Sequence, residues 1–212
     1  MVGFLTCFDF EKPAYKAGFL FLPYGIYSTT NGGSMNKVAV FGKPGSGKST
    51  LAKKLAAASG ISLYPLDALV YEKSGALVER EVFDAKHDEI LAGDRWIVEG
   101  FGPIESFYKR LEAADTLIYI DLSYAASYYF VTKRLLKGLC VRPEGWPEGS
   151  SVFKGSLQSY KFLKLSPKFW NQAFLERLEQ GATGKKLYRI QSVAELDRFV
   201  ESYSELKHSG CA

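Results

Sequence analysis

Gly42-Lys43-Pro44-Gly45-Ser46-Gly47-Lys48-Ser49-Thr50 sets two glycines, a lysine and a hydroxyl at the spacing G-x-x-x-x-G-K-S. Glycines let a backbone fold round an anion and aim successive N–H groups at it. A lysine at the position of Lys48 reaches the β- and γ-phosphates of a triphosphate, and a hydroxyl at the position of Ser49 can enter the shell of a Mg²⁺ ion. Gly42, Pro44, Gly45, Ser46, Gly47, Lys48, Ser49 and Thr50 are therefore the expected nucleotide contacts. The flanks agree. The apolar run Val38-Ala39-Val40-Phe41 reads as a buried strand and the alanine-rich stretch from Thr50 to Ala57 as a helix. Unsatisfied amides and the macrodipole at the start of such a helix favour negative charge. The chemistry expected is binding of ATP with Mg²⁺.

Three acids end apolar strands elsewhere. Ile61 to Leu66 runs into Asp67, Arg95 to Val98 into Glu99, and Asp115 to Ile120 into Asp121. A carboxylate leaving the carboxyl end of a parallel strand is placed to face a ligand, which is the favoured reading of Asp67, and a cap on the helical turn that follows can coexist with it. Glu99 and Asp121 both fit the acid that holds Mg²⁺ through its waters. The turn Gly100-Phe101-Gly102-Pro103 permits close backbone approach to a ligand, whereas Asp121-Leu122-Ser123 looks like a helix entry, which favours Glu99. Of the two histidines, His87 flanks the buried side of an amphipathic helix predicted over Glu79 to Gly93, and His208 lies in a tail. Neither belongs to a catalytic constellation.

The elements that must position these groups alternate strand and helix, with further strands at Arg95 to Val98, Asp115 to Ile120 and Lys185 to Ile190. Five strands each followed by a helix predict a three-layer α/β fold with a parallel sheet and helices on both faces. A helix is expected from Pro167 to about Gln180. A final one is expected from Ser192, with Ser192 and Glu195 as a capping box. Tyr124, Tyr128, Val131 and Leu135 mark the core stripe of another helix, whose polar side presents Lys133, Arg134 and Lys137. From Lys133 to Lys168 eight basic residues face two acids, and Gly138 to Ser151 is rich in breakers, which reads as a mobile lid over phosphates. Residues 1–34, rich in scattered aromatics and ending in Ser28-Thr29-Thr30-Asn31-Gly32-Gly33-Ser34, read as a disordered or non-native extension upstream of Met35.

A chain of 212 residues with 47% hydrophobic and 24% charged content suits one globular domain, here residues 35–204, with a lid over about 138–168 and a tail over 205–212. No window approaches the roughly 18 apolar residues of a membrane span. Three scattered cysteines, Cys7, Cys140 and Cys211, argue against a disulfide framework or zinc site and suit a reducing cytoplasm. A net charge of +4 does not announce nucleic-acid binding.

The stretches Val38 to Thr50, Ile61 to Asp67, Trp96 to Gly100 and Ala114 to Ile118 together resemble the nucleoside-monophosphate-kinase-like branch of P-loop proteins. The closer similarity is to the adenylate-kinase-related family called DNA topology modulation proteins. The resemblance implies the P-loop NTPase fold with strand order 2-3-1-4-5, which sets Glu99 beside the phosphate loop and favours it over Asp121 on the magnesium side. It also implies a lid whose basic residues, Arg134 and Arg142 here, contact the triphosphate, an arginine fork being suited to several phosphate oxygens at once. Adenylate kinases carry D-G-F-P-R where this chain has Glu99-Gly100-Phe101-Gly102-Pro103, and the segment from Asp67 to Glu79 is short with Lys73 its only cation. Those departures argue against AMP as acceptor and make the acceptor half more similar to shikimate or gluconate kinases, where an acid orients a hydroxyl. The expectation is an ATP- and Mg²⁺-dependent phosphotransferase. It would use Lys48, Asp67, Arg134 and Arg142 in catalysis, Ser49 and Glu99 at the metal, and a small hydroxylated or nucleotide-like acceptor. The rival is a nucleotide-binding regulator or DNA-associated protein.

Overall fold

The computed structural model describes residues 26–28, 35–70, 77–140 and 152–209. Its centre is strand β2 (Lys37–Gly42), where Val38, Ala39, Val40 and Phe41 are all fully buried. A strand this apolar on both faces belongs inside a parallel sheet. Its side chains divide by alternation. Val38 and Val40 pack with Leu51, Leu55, Ile118, Ile120 and Leu196, whereas Ala39 and Phe41 pack with Phe83, Phe107, Leu117, Tyr119 and Phe174.

The first group lies under α1 (Lys48–Ser59) and α8 (Val193–Ser209), the second under α3 (Arg80–Ala92), α4 (Ile104–Ala113) and α7 (Gln172–Gly181). The sheet order is β1-β6-β5-β2-β4-β3, with β1 (Ile26–Ser28), β3 (Leu63–Pro65), β4 (Trp96–Glu99), β5 (Thr116–Ile120) and β6 (Lys186–Ile190). The pairs among β2 to β6 are all parallel. Counted from β2, these five strands have the order 2-3-1-4-5, the three-layer P-loop fold. One strand is added to that expectation. Ile26–Ser28 pairs antiparallel with β6, Tyr27 opposite Leu187, on the outer edge of the sheet. The rest of the expected extension, residues 1–25 and 29–34, lies outside the described residues, as does the tail from 210.

Local chemistry sets the element ends. Gly60, at φ 68°, closes α1 in the left-handed conformation and donates its N–H to Ala56 O. The Asp115 carboxylate accepts from the Asn36 and Lys37 N–H groups at 3.0 and 2.9 Å, pinning the start of β2 to that of β5. At α8, the Ser192 hydroxyl accepts from the Glu195 N–H, while the Glu195 carboxylate reaches back to the Gln191 N–H. The capping box thus forms with its return bond one residue early.

The helix expected from Pro167 begins later. Ser166–Lys168 is a 3-10 turn, and α7 starts at Gln172 because the Asn171 side chain accepts from the Phe174 N–H at 2.9 Å. The expected lid is helical in its second half, α6 (Val152–Leu165), packed on α5 (Tyr124–Cys140) through a Tyr128–Tyr160 stack and a Thr132–Tyr160 hydroxyl bond. Residues 141–151 between them lie outside the described residues. On α5 the buried side chains include Ser127 and Val131, while Tyr128, expected in the core stripe, is 37% exposed because it faces α6 rather than the sheet. Among the described residues, no helix is long and apolar enough to cross a membrane.

Candidate active site

The loop from Lys43 to Gly47 joins the carboxyl end of β2 to the start of α1. Two close approaches demand its glycines. A Cβ on Gly42 would lie 2.2 Å from Ile120 O, and one on Gly45, at φ 74°, 2.5 Å from Ser127 O of α5. The loop is therefore wedged between β5 and α5. Gly47 precedes α1 in the left-handed conformation, offers no side-chain cap, and the first helical turn holds no acid. The start of α1 thus has neither a side-chain cap nor an acid in its first turn, an arrangement suited to an external anion.

Lys48 turns its Nζ back to Lys43 O at 2.8 Å. Desolvation lowers its pKa despite the opposing pull of Glu99 and Asp67, with Arg134 and Lys43 adding to the lowering. Glu99 ends β4 directly beside Val40 of β2 on one side and Pro65 of β3 on the other, so the sheet itself delivers it to the loop. It is buried, and burial raises its pKa, the negative charge of Asp67 adding to the rise while Lys48 and a hydrogen bond from Ser49 oppose it. Asp67 is exposed in the first turn of α2 (Leu66–Val70), two residues past Pro65. Arg134, from the far side on α5, donates to Ser159 of α6 at 2.7 Å and has Asp67 as its favourable charge partner, while burial lowers its pKa.

Lys48, Ser49, Asp67, Glu99 and Arg134 are thus brought together around the loop. Pro44 and Gly45 are half-buried within it, Ser46 is fully buried, and Ser49 and Thr50 are exposed at the start of α1. Arg142 lies outside the described residues. These residues fit Mg²⁺-ATP. The uncapped helix start suits the phosphates, and the Ser49–Glu99 pair offers the hydroxyl and carboxylate oxygens that magnesium prefers.

Asp121 has another occupation. Its Oδ1 accepts from Lys43 Nζ and from the Tyr119 hydroxyl at 3.0 Å, and its Oδ2 accepts from Arg189 Nε and a terminal guanidinium nitrogen at 3.0 and 2.6 Å. Four donors match the acceptor capacity of a carboxylate, which leaves no lone pair for a metal's waters. Burial alone would raise its pKa, but the bonds from Lys43 and Arg189 outweigh it and hold the group below its ordinary value.

Arg110 also escaped the sequence reading. Fully buried on α4, it donates to Gly100 O and Phe101 O at 3.0 and 3.1 Å and so fixes the turn that follows Glu99. Burial lowers its pKa to about 9, partly offset by Glu99. His87 sits 3.4 Å from it, stacked on Phe83. Two of the aromatics interleaved with the basic segment, Phe169 and Trp170, pack into the core with Phe101, Phe107 and Phe174. The hydrophobic spacing around Arg110 marks only a helix face, so no local signal singles it out.

No protein-family model matches the chain, and no curated protein matches it. Solved structures do. A shikimate kinase from Bacteroides thetaiotaomicron is 14% identical with a TM-score of 0.46, over 82% of this chain and 99% of that one. A shikimate kinase from Acinetobacter baumannii in complex with shikimate is 13% identical with a TM-score of 0.48, over 84% and 96%. A sugar kinase from Janibacter sp. is 16% identical with a TM-score of 0.42, over 83% and 94%.

Proposed function

We propose that this protein is an ATP- and Mg²⁺-dependent phosphotransferase acting on a small hydroxylated or nucleotide-like acceptor. The observation that carries the reading is the convergence of Lys48, Ser49, Glu99, Asp67 and Arg134 on one loop mouth from four separate elements. Bound Mg²⁺-ATP would supply the phosphoryl group and part of the charge neutralisation. The loop amides and Lys48 would hold the β- and γ-phosphates, with Ser49 and Glu99 at the metal. Asp67, exposed beyond Glu99, is free to orient an acceptor hydroxyl, and Arg134 opposes it from α5. Arg142 would join from the lid. Rate enhancement in such a site comes from positioning and preorganised charge.

The rival surface, basic residues interleaved with aromatic ones for nucleic acid, is weakened because Phe169 and Trp170 are committed to the core and Tyr160 stacks on Tyr128. Stacking platforms for bases must be free.

The test is ADP release from Mg²⁺-ATP across a panel of sugars, organic acids, nucleosides and nucleoside monophosphates. At least one acceptor is expected to raise turnover, and Lys48→Ala to lower kcat/KM for it by about 10²-fold or more. A panel that never rises above the Lys48→Ala background overturns the reading.

A further inference from the structure

Lys43 is the one charged side chain within the Gly42 to Thr50 motif that the phosphate-loop spacing does not require, and it is only 3% exposed. Lysine is rarely this deep unless paired, since an uncompensated buried ammonium is costly. Its Nζ lies 2.5 Å from Asp121 Oδ1 and over the Tyr124 ring at 4.9 Å. Asp121 is in turn held by both Arg189 bonds and by Tyr119, and its own N–H donates to Ile190 O at 2.8 Å. At its other end, the carbonyl of Lys43 accepts from Lys48 Nζ at 2.8 Å and from the Ser46 N–H at 3.3 Å. One residue therefore ties the carboxyl ends of β5 and β6, through its side chain, to the lysine of the loop, through its main chain.

Resting on the reading of the loop as a nucleotide site, we propose that Asp121 and Arg189 form an anchor which, through Lys43, holds the loop in its phosphate-binding shape and parks Lys48 before the nucleotide arrives. Lys43 is a positioning residue here. Its ammonium is directed at the sheet and saturates a carboxylate oxygen, so phosphate contact would require leaving Asp121 one donor short. Preorganisation of this kind lowers the ordering cost that binding must otherwise meet.

The anchor and a direct phosphate contact predict opposite signs, which calorimetric titration of the full chain with ATP and with AMP can read. An anchor requires Lys43→Met and Asp121→Asn each to weaken ATP about tenfold, as expected for a lost charge-assisted bond, with AMP less affected. The double variant should be no worse than either single one, because both break the same link. Lys43→Arg, which can still pair with Asp121, should restore most of the affinity.

Tighter ATP binding by Asp121→Asn would mean a liberated Lys43 reaching the phosphates, and overturns the anchor. So does unchanged affinity in both single variants, or a parallel loss for ATP and AMP that follows the melting temperature. Should Lys43→Met fail to fold, Asp121→Asn alone carries the same test of sign. Absence of ATP binding by the unaltered chain, equal to that of Lys48→Ala, overturns the nucleotide reading and the anchor with it. Loss in Lys48→Ala without loss in the anchor variants overturns the anchor alone.

Discussion

At Glu99 two demands meet in one carboxylate. In the proposed site it would have to be ionised to serve a metal's waters, yet burial and the charge of Asp67 push its pKa upward against Lys48 and Ser49. Activity that needs the carboxylate should fall, on acidification, at a pH above the ordinary range of glutamate. In a pH profile of kcat/KM, Glu99→Gln should lose about 10²-fold at neutral pH, the scale of removing one charge-stabilising group, and should lack that acidic limb. An identical limb in the variant would assign it to another group. At this scale the sequence was half legible. The spacing of Lys48 and Ser49 is local and needs no partner to be recognised. The choice between Glu99 and Asp121 is not local, because what commits Asp121 elsewhere is Lys43, 78 residues away, and Arg189, 68 residues away.

Between elements, the seam of α3 and α4 stabilises the turn after β4. His87 is 1% exposed, and burial, reinforced by the Arg110 guanidinium, lowers its pKa from 6.5 to about 4. The folded chain therefore resists protonating a ring that the unfolded chain protonates readily. Its contribution is fully present above pH 6.5 and is lost as pH falls toward 4, by about 3 kcal/mol at the lower end. Urea unfolding at pH 7, 5 and 4 should show His87→Gln losing less stability over this interval than the unaltered chain; parallel curves would remove His87 from the account. The strands were legible because apolar runs bounded by acids have few alternative readings. The start of α7 was not, since Pro167 is as good a helix opener as any until Asn171 is seen capping Phe174. Nor was α6, whose lysines and serines resemble a solvated loop until Tyr160 and Ser159 meet α5.

For the molecule as a whole, the edge strand poses the sharpest question. β1 pairs with β6 over three residues, whereas Met35 is 9% exposed and belongs to the core beneath α1 and α8. A chain beginning at Met35 keeps all five parallel strands. It should unfold in urea with a loss of only about 1–3 kcal/mol, the scale of a few backbone hydrogen bonds, and keep its ATP affinity. Failure to fold would give residues 1–34 an essential structural part. No pattern in that segment announces a strand, because its pairing depends on an edge more than 150 residues away. The glycines of the loop also bear on ancestry. Gly42 is demanded by Ile120 O and Gly45 by Ser127 O, both parts of the protein's own scaffold, whereas the Lys48 ammonium is bonded to the Lys43 carbonyl within the loop and attracted by Glu99 and Asp67. On the proposed reading of the loop, a descendant that had stopped handling phosphate would still keep those two glycines in order to fold. In such a lineage the lysine, and not the glycine signature, would be the first letter of the motif to drift.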